Sequence, residues 1–350
     1  MNRNITFAQA INEATDQCMA RDESVYLLGL GVPDPKGVFG TTSGLQEKYG
    51  NARVLDTPAS ENAMTGIALG SAIAGKRPVM VHQRVEFAML ALDQIINQAA
   101  NWCYMFGGKS SVPLVLRMLV GRGWGQGPQH SQSLHAMFAS IPGLKVLMPA
   151  TPHDAKGLMA AAIEDNNPVI FLEHRWLHHI SGNVPSDYYI TPIGKARVAR
   201  VGSDITIIAA SYMVLEALAM ADILSTEGIE VEVLDLRTIK PLDIDGILES
   251  VKKTGRALIL DLGWKSFGLS SEIIALLIES IWADLKTPPF RITLPDVPTP
   301  STPGLAQYYY PRAENMCNEV RKAFNRPVKK VVYDKDFTFD QPNKNFKGPF

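Results

Sequence analysis

Short apolar runs alternate along the first half of the chain with longer stretches in which every third or fourth residue is apolar. The short runs predict buried strands, and the longer period predicts amphipathic helices. The predicted strands lie at residues 25–29, 53–56, 77–82, 112–119, 145–149 and 169–173. The predicted helices lie at residues 6–21, 43–50, 87–105 and 154–163, with one more beginning at residue 61. Such regular alternation predicts a doubly wound α/β domain with a mostly parallel sheet.

The pattern is interrupted at residues 181–192, where glycine, proline, serine and tyrosine are frequent, and then it restarts. The second series has predicted strands at residues 204–210, 230–236 and 257–262, and predicted helices at residues 213–226, 243–254, 270–285 and 314–324. We therefore predict two α/β domains, at residues 1–185 and 193–327, joined by a loop. Residues 328–350 interleave lysines with aromatic residues, which indicates either a docking arm or a loosely ordered tail.

Composition narrows the classes of function. The chain has 350 residues and a formal net charge of -1, so nucleic acid and anionic membranes are not expected as general partners. The N-terminus has no apolar signal core and no stretch approaches the roughly 18 apolar residues of a membrane span, so we expect a cytoplasmic location. Cys18, Cys103 and Cys317 are too scattered for a disulfide framework or a zinc site, and we expect buried thiols.

One carboxylate, Glu61, is placed at the start of a predicted helix whose next residues are mostly small. Pro58 favours an extended approach and Ser60 is a suitable N-cap, so we expect Glu61 in the first helical turn. The small residues would let another backbone or a ligand come close. Taken alone, Glu61 has two interpretations, a functional carboxylate or a side chain that complements the helix dipole.

A second candidate is the glycine-rich loop at residues 121–132, which follows a predicted strand. It is not a dinucleotide fingerprint, because Gln126 stands where the third glycine of G-x-G-x-x-G is required. The loop instead presents polar groups at the carboxyl end of a strand, where open α/β sheets bind ligands. His130 is the histidine that the loop carries, which makes it a candidate for proton transfer.

Eight stretches together resemble the beta subunit of the thiamine-diphosphate-dependent first component of 2-oxo acid dehydrogenase complexes, in the transketolase superfamily. They are LLG at 27–29, DTPASE at 56–61, GKRP at 75–78, DQIINQAA at 93–100, QHSQ at 129–132, IPGLKV at 141–146, PIGKA at 192–196 and DLRTIKPL at 235–242. The resemblance extends over residues 5–327. It implies a pyrimidine-binding domain followed by a transketolase C-terminal domain, an oxidoreductase activity and thiamine diphosphate as cofactor.

The resemblance also implies partners. In this family the site lies between two chains, and the alpha subunit carries a Gly-Asp-Gly motif that holds magnesium and the diphosphate. The present sequence has no Gly-Asp-Gly. We therefore expect an alpha2beta2 heterotetramer in which this chain supplies the pyrimidine half of the site and is silent alone. A lipoyl acyltransferase is the acyl acceptor that the resemblance implies.

The resemblance assigns roles to three residues. Glu61 matches the acid that hydrogen-bonds the pyrimidine nitrogen and passes a proton to it, and an apolar surround would strengthen that bond. Phe87 matches the aromatic residue that lies against the pyrimidine, although it could equally be a core phenylalanine. His130 matches the histidine that faces the reacting carbonyl and donates to developing charge.

A potassium site is a further implication of the resemblance. Its ligands would be backbone carbonyls of Leu114, Ala162, Ile163 and Asn167 together with the side chain of Asp165. The alternative is a helix C-terminus capped by Asn166 and Asn167. A cluster of His174, His178 and His179 near Glu173 lacks zinc-site spacing, and we interpret it as an ordinary loop or a subunit interface.

The chain departs from the family in three places. Leu30 and Gly31 stand where the family has an acidic pair whose first member belongs to the proton path, and residues 81–84 replace an acid and aromatics. The tail runs past the usual end of the family, where the acyltransferase docks. Two alternatives follow: a free-standing transketolase-like or acyl-transfer synthase that needs no lipoyl partner, and a non-catalytic assembly subunit.

Overall fold

A computed structural model of the chain describes residues 2–122, 126–333, 337–342 and 346. The strands are β1 (Asn2–Thr6), β2 (Val25–Gly29), β3 (Val54–Leu55), β4 (Arg77–His82), β5 (Val115–Val120), β6 (Lys145–Leu147), β7 (Val169–His174), β8 (Ser181–Pro185), β9 (Arg197–Arg200), β10 (Ile205–Ala209), β11 (Val231–Asp235), β12 (Thr238–Lys240), β13 (Ala257–Trp264) and β14 (Phe290–Leu294). The helices are α1 (Phe7–Arg21), α2 (Leu45–Tyr49), α3 (Glu61–Ile73), α4 (Val85–Ala88), α5 (Ala100–Met105), α6 (His135–Ala139), α7 (Pro152–Glu164), α8 (Met213–Ser225), α9 (Ile244–Thr254), α10 (Leu269–Ile281), α11 (Pro303–Ala306) and α12 (Ala313–Ala323).

The chain divides into two compact units. The first contains the residues up to Val120 and those from Met137 to Ile193, and the second contains residues 121–136 and the chain from Gly194 onward. The second unit thus includes the segment that carries His130. The predicted domain bounds of 1–185 and 193–327 remain predictions.

The first unit is built on a parallel sheet with the strand order β6-β7-β5-β4-β2-β3. Every residue of β5 and β7 is buried, as expected for parallel strands that helices cover on both faces. Gly29 ends β2 where the backbone of β4 comes close, since a Cβ there would lie 2.4 Å from the Val81 carbonyl oxygen. The predicted doubly wound fold is confirmed.

Helix α1 shows how closely the local pattern fixes an element. The side chain of Thr6 accepts a hydrogen bond from the backbone amide of Gln9, and the Gln9 side-chain oxygen accepts one from the backbone amide of Thr6, which forms a capping box. Four of its apolar residues at helical spacing, Ala8, Ile11, Ala14 and Cys18, are buried. Helix α7 packs against this helix, and its own N-cap is Thr151.

The prediction of a loop at residues 181–192 is wrong for residues 181–185. Strand β8 lies there and pairs antiparallel with β1, with Thr6 opposite Ser181. Both strands are rich in polar residues, and in β8 only Val184 is buried, so neither carries an apolar pattern. Backbone hydrogen bonds rather than burial define this pair.

The predicted helix at residues 87–105 is present but is not uniformly α-helical. After α4, the chain forms a 3-10 turn at Met89–Ala91, a π-helical stretch at Asp93–Ala99 and then α5. The Asn101 side chain donates to the carbonyl oxygens of Ile96 and Asn97, five and four residues earlier. Hydrophobic spacing predicts a helix at this place but does not distinguish π from α winding.

The second unit has its own sheet, with the order β14-β13-β10-β11-β9. Strands β14, β13, β10 and β11 are parallel, and β9 is an antiparallel edge strand. Strands β9 and β14 were not predicted, because most of their residues are only half-buried and lack clear alternation. Helix α9 begins after Asp243, whose carboxylate caps the amide of Gly246 as predicted for a helix start there.

Described residues of the C-terminal tail contact other parts of the second unit, and the choice between a docking arm and a loosely ordered tail stays a prediction. Asp340 is buried and pairs with the buried guanidinium of Arg122 at 3.4 Å. Arg312 donates to the carbonyl oxygens of Gln341 and Pro342 and lies over the Phe337 ring. Within the described ranges, no helix is long and apolar enough to cross a membrane.

Candidate functional site

Glu61 is the first residue of α3, as the sequence predicts, and the turn before it leads from the carboxyl end of β3. Ser60 occupies the N-cap, but its side chain makes no capping hydrogen bond. The turn is fixed instead by Asp56, whose carboxylate accepts from the amides of Gly31 at 2.8 Å and Thr57 at 2.9 Å. Glu61 therefore extends from a turn that is tied to the end of β2.

The described residues do not form the apolar surround expected for Glu61. Its side chain is only partly buried, and the next two residues, Asn62 and Ala63, are exposed. Ile67 is 57% exposed on the following turn, and a Cβ added at Gly70 would meet nothing within 4 Å. The small residues of α3 thus leave an open face beside the carboxylate. An apolar surround would have to be supplied by something that covers this face.

The departure at Leu30 lies in the neighbouring turn. Leu30 is 41% exposed, and its carbonyl oxygen accepts a hydrogen bond from the Gln83 side chain at 3.0 Å. Gly31 has a φ of 72°, and a Cβ there would lie 2.9 Å from Nε2 of Gln83. Hydrogen bonding and close packing therefore hold the backbone of this turn, although the Leu30 side chain carries no titratable group.

Phe87 lies on α4, which follows β4 directly. Its amide donates to the Arg84 carbonyl oxygen at 3.2 Å, and its ring is half-buried. Val85 and Ala88, on the same short helix, are fully buried and supply the core contacts. Helix α4 packs against α3, so Phe87 and Glu61 belong to neighbouring elements of the first unit.

His130 belongs to the second unit, at the end of a 3-10 turn over Pro128–His130. Two hydrogen bonds close the loop around it. The Gly121 amide donates to the Gln132 carbonyl oxygen, and the Ser131 hydroxyl donates to the Gln126 carbonyl oxygen. His130 is half-buried. Residues 123–125 of the predicted glycine loop lie outside the described residues.

The loop borders a cavity of about 620 Å³ within the second unit. Its lining comes from the His130 loop, from the end of β13 and from the segments after β13 and β14: Pro128, Gln129, Gln132, Trp264, Ser266, Asp296, Val297, Pro298 and Thr299. The cavity therefore lies at the carboxyl ends of parallel strands, where α/β sheets place ligands.

The sequence does not predict a buried hydrogen-bonded pair beside this loop. His135 Nε2 lies 2.9 Å from Asp261 Oδ1, and Asp261 also accepts from the amides of Gly263 and Ser270. Burial alone would raise the pKa of Asp261, but His135 and these amides hold the pKa below its usual range. No sequence signal joins residues 126 positions apart, although Asp261 at a predicted strand end was a visible hint.

The residues predicted to bind potassium lie in one neighbourhood of the first unit. The Ile163 carbonyl oxygen accepts from Arg77 at 3.0 Å, the Leu114 carbonyl oxygen accepts from the Val169 amide, and the Asp165 carboxylate accepts from the Asn167 amide. Lys145 donates to the other oxygen of Asp165. These oxygens already have donors, and each has a second lone pair. The potassium site stays a prediction.

Of the histidines near Glu173, His174 and His178 are buried in the first unit, whereas His179 is exposed. Their interpretation as an ordinary loop or a subunit interface stays a prediction. Glu173 is fully buried and receives two hydrogen bonds from Arg117, at 2.7 and 3.1 Å, while His178 Nε2 lies 3.3 Å away. Burial would raise the pKa of Glu173, but Arg117 and His178 lower the pKa below its usual value. Among the described residues, no group of three or more His, Cys, Asp or Glu is placed to hold a metal ion.

The donor set of the first unit fits one half of an aminopyrimidine cofactor. Glu61 offers a carboxylate that can give and take a proton at the start of a helix, and Phe87 offers an aromatic face on a neighbouring element. His130, in the second unit, offers an imidazole that can donate a hydrogen bond.

Two family models match the chain. The pyrimidine-binding domain of transketolase matches residues 3–179, and the transketolase C-terminal domain matches residues 194–316. The two matches together extend over most of the chain.

Several beta subunits are similar over nearly the whole chain. The chain is 43% identical to the beta subunit of acetoin:2,6-dichlorophenolindophenol oxidoreductase from Cupriavidus necator, over 92% of this chain and 98% of that protein. It is 41% identical to the beta subunit of bovine mitochondrial pyruvate dehydrogenase E1, over 92% and 91%. It is 42% identical to the 2-oxoisovalerate dehydrogenase beta subunit of Bacillus subtilis, over 87% and 94%.

A solved structure, a split-gene transketolase described as an inactive beta4 tetramer, has the same fold. It superposes with a TM-score of 0.75 at 22% identity, over 93% of this chain and 99% of that chain. At that identity the likeness concerns the fold alone.

Proposed function

Because this chain belongs to the transketolase family, with the beta subunits of 2-oxo acid dehydrogenase first components, we propose that it works with an alpha subunit as such a thiamine-diphosphate-dependent enzyme. The observation that carries the proposal is the position of Glu61. It is the first residue of α3, in a turn held by Asp56, with an open face beside it.

When bound, thiamine diphosphate supplies the nucleophilic carbon and the electron sink for decarboxylation of a 2-oxo acid. Glu61 would hold a proton on its carboxyl group and pass it to the ring nitrogen of the aminopyrimidine. Phe87 would lie against the pyrimidine and fix its plane. His130 would donate to the substrate oxygen on which negative charge develops.

The proposal includes partners. An alpha-type chain would hold the diphosphate and magnesium, and would cover the open face of α3 around Asn62, Ala63 and Ile67. Covering that face would exclude water around Glu61 and strengthen its hydrogen bond to the cofactor. We propose an alpha2beta2 heterotetramer in the cytoplasm, and a lipoyl acyltransferase as acyl acceptor.

We also propose that the segment around Asp165 binds potassium weakly. Its oxygens converge on one neighbourhood, and hard oxygen ligands suit an alkali cation. Lys145 donates to Oδ2 of Asp165, so Oδ1 of the same carboxylate would bind the ion together with the backbone carbonyl oxygens.

The test replaces Glu61 by Gln, which keeps the shape and removes the transferable proton. The chain is purified with its alpha-type partner, thiamine diphosphate and magnesium are added, and 2-oxo acid decarboxylation is measured. We expect kcat to fall at least about 100-fold, the usual loss for a general acid. The matched control is Glu23→Gln, an exposed carboxylate of the same unit, which should retain the wild-type rate. A Glu61→Gln enzyme as fast as wild type would rule out the assignment.

The substrate is decided by a panel in the same assay. Pyruvate, 2-oxoisovalerate, acetoin and a ketose phosphate are compared, with 2,6-dichlorophenolindophenol or a lipoyl acyltransferase as acceptor. A second function, a synthase without a lipoyl partner, is favoured by Leu30 in place of the family acid and by a tail that packs on the second unit. Acyl transfer to a small aldehyde or ketone without either acceptor would support the synthase.

A further inference from the structure

Helix α3 is joined to the sheet of the first unit by side-chain hydrogen bonds near both of its ends. Near its start, Thr65 Oγ1 lies 3.2 Å from Nε2 of His82, the last residue of β4. Near its end, Ser71 Oγ lies 2.6 Å from the hydroxyl of Tyr26 on β2. The two contacts hold opposite ends of the same helix.

His82 is an unusual residue for its position. It is 3% exposed, and burial lowers its pKa from 6.5 to about 4, so the imidazole is neutral at physiological pH. A buried polar ring costs free energy unless its nitrogens find partners, whereas an apolar side chain would fill the same space without that requirement. The hydrogen bond to the fully buried Thr65 hydroxyl is therefore the feature that the histidine provides.

Asp56 holds the turn that precedes α3, but the first turns of the helix itself lack a side-chain cap. The Ser60 side chain makes no capping bond, and the helix contains two glycines, Gly66 and Gly70, which weaken helices by about 1 kcal/mol each. Thr65 comes one turn after Glu61, so the two side chains lie on the same side of the helix. A bond from Thr65 to the sheet therefore limits the rotation and displacement of the turn that carries Glu61.

We propose that His82 is a positioning residue for Glu61, which acts by anchoring the first turns of α3 to the sheet through Thr65. The inference rests on the proposed function of Glu61. It assigns His82 no contact with substrate or cofactor.

The variants form two matched pairs. Thr65→Val and His82→Leu each remove the bond near Glu61 with little change in volume. Tyr26→Phe and Ser71→Ala remove the bond at the far end of the same helix. His82→Gln is the conservative variant, since its amide can still hydrogen-bond the Thr65 hydroxyl.

The first measurement needs neither cofactor nor partner. Hydrogen exchange of the α3 backbone amides is followed by mass spectrometry in the chain alone. We expect Thr65→Val and His82→Leu to speed exchange in the amides of the first two turns about tenfold or more. Tyr26→Phe and Ser71→Ala should do so only in the last two turns. Equal effects of both pairs on the first turns would overturn the proposal.

The second measurement uses the complex with the alpha-type chain, thiamine diphosphate and magnesium. We expect Thr65→Val and His82→Leu to lower kcat about tenfold at saturating cofactor with little change in KM, because a displaced catalytic group slows the reaction more than it weakens binding. His82→Gln should recover most of the rate, and the far-end pair should stay within twofold of wild type.

The outcomes separate the inference from the proposed function. If Glu61→Gln abolishes activity while Thr65→Val and His82→Leu keep wild-type kcat, only the positioning role is overturned. If Glu61→Gln is active, the proposed function fails first. If His82→Leu does not fold, Thr65→Val, which is nearly isosteric, still decides the result.

Discussion

Three histidines of the first unit are buried as neutral rings. Burial lowers the pKa of His82 to about 4, of His174 to about 3 and of His178 to about 4. In the unfolded chain the same rings bind a proton near pH 6.5. Between pH 6.5 and 4 the unfolded state therefore holds more protons than the native state, and stability must fall as the pH is lowered.

This difference predicts the effect of removing one ring. The stability contribution of neutral His174 is complete above pH 6.5 and is lost as the pH falls toward 3. We expect the unfolding free energy of wild type to fall faster than that of His174→Gln below pH 6.5, by about 1.4 kcal/mol per pH unit. Urea unfolding at pH 7, 6 and 5 measures both slopes. Parallel slopes would show that His174 is protonated in the folded chain.

At the scale of elements, the proposed potassium site in the segment after α7 can be tested by its effect on stability. Potassium at about five times its dissociation constant should stabilise the chain by about 1 kcal/mol. Thermal unfolding in potassium chloride should therefore exceed that in choline chloride, and Asp165→Asn should remove the difference. Glu164→Gln, an exposed neighbour at the end of α7, is the control and should keep it. The same melting temperature in both salts for wild type would exclude a potassium site.

Elements were predictable where burial imposes a period. Strands β2 and β4 have the predicted bounds, and α3 begins at Glu61 as predicted, because apolar runs and turn residues mark these places. Strands β1, β8, β9 and β14 escaped prediction because their backbone pairing is long-range and their side chains are largely exposed or half-buried. The candidate site divides in the same way between local and long-range features. The sequence predicts Glu61 and Phe87 from their local surroundings. Only the fold brings together the pairs His135 with Asp261 and Thr65 with His82.

At the scale of the whole chain, the tail provides an interaction that the family resemblance does not predict. Asp340 neutralises Arg122, which is fully buried and also donates to the carbonyl oxygens of Pro300 and Ser301. Asp340→Asn leaves that guanidinium without its counter-charge, so we expect a loss of about 2 kcal/mol in unfolding free energy. Urea denaturation measures the loss. Asp284→Asn, an exposed residue of the second unit, is the control. Equal stability of Asp340→Asn and wild type would show that the pair of Asp340 and Arg122 does not stabilise this unit.

The π-helical stretch at Asp93–Ala99 makes the length of the chain itself a determinant of the site. Each residue of an α-helix turns the chain by about 100°, so losing the extra residue that a π turn holds would rotate everything before it by about that angle relative to α5. Phe87 precedes the π-helical stretch, on α4, whose Val85 and Ala88 are fully buried. A one-residue deletion at 93–99 would therefore change the angle between Phe87 and α5 without replacing any side chain of the site.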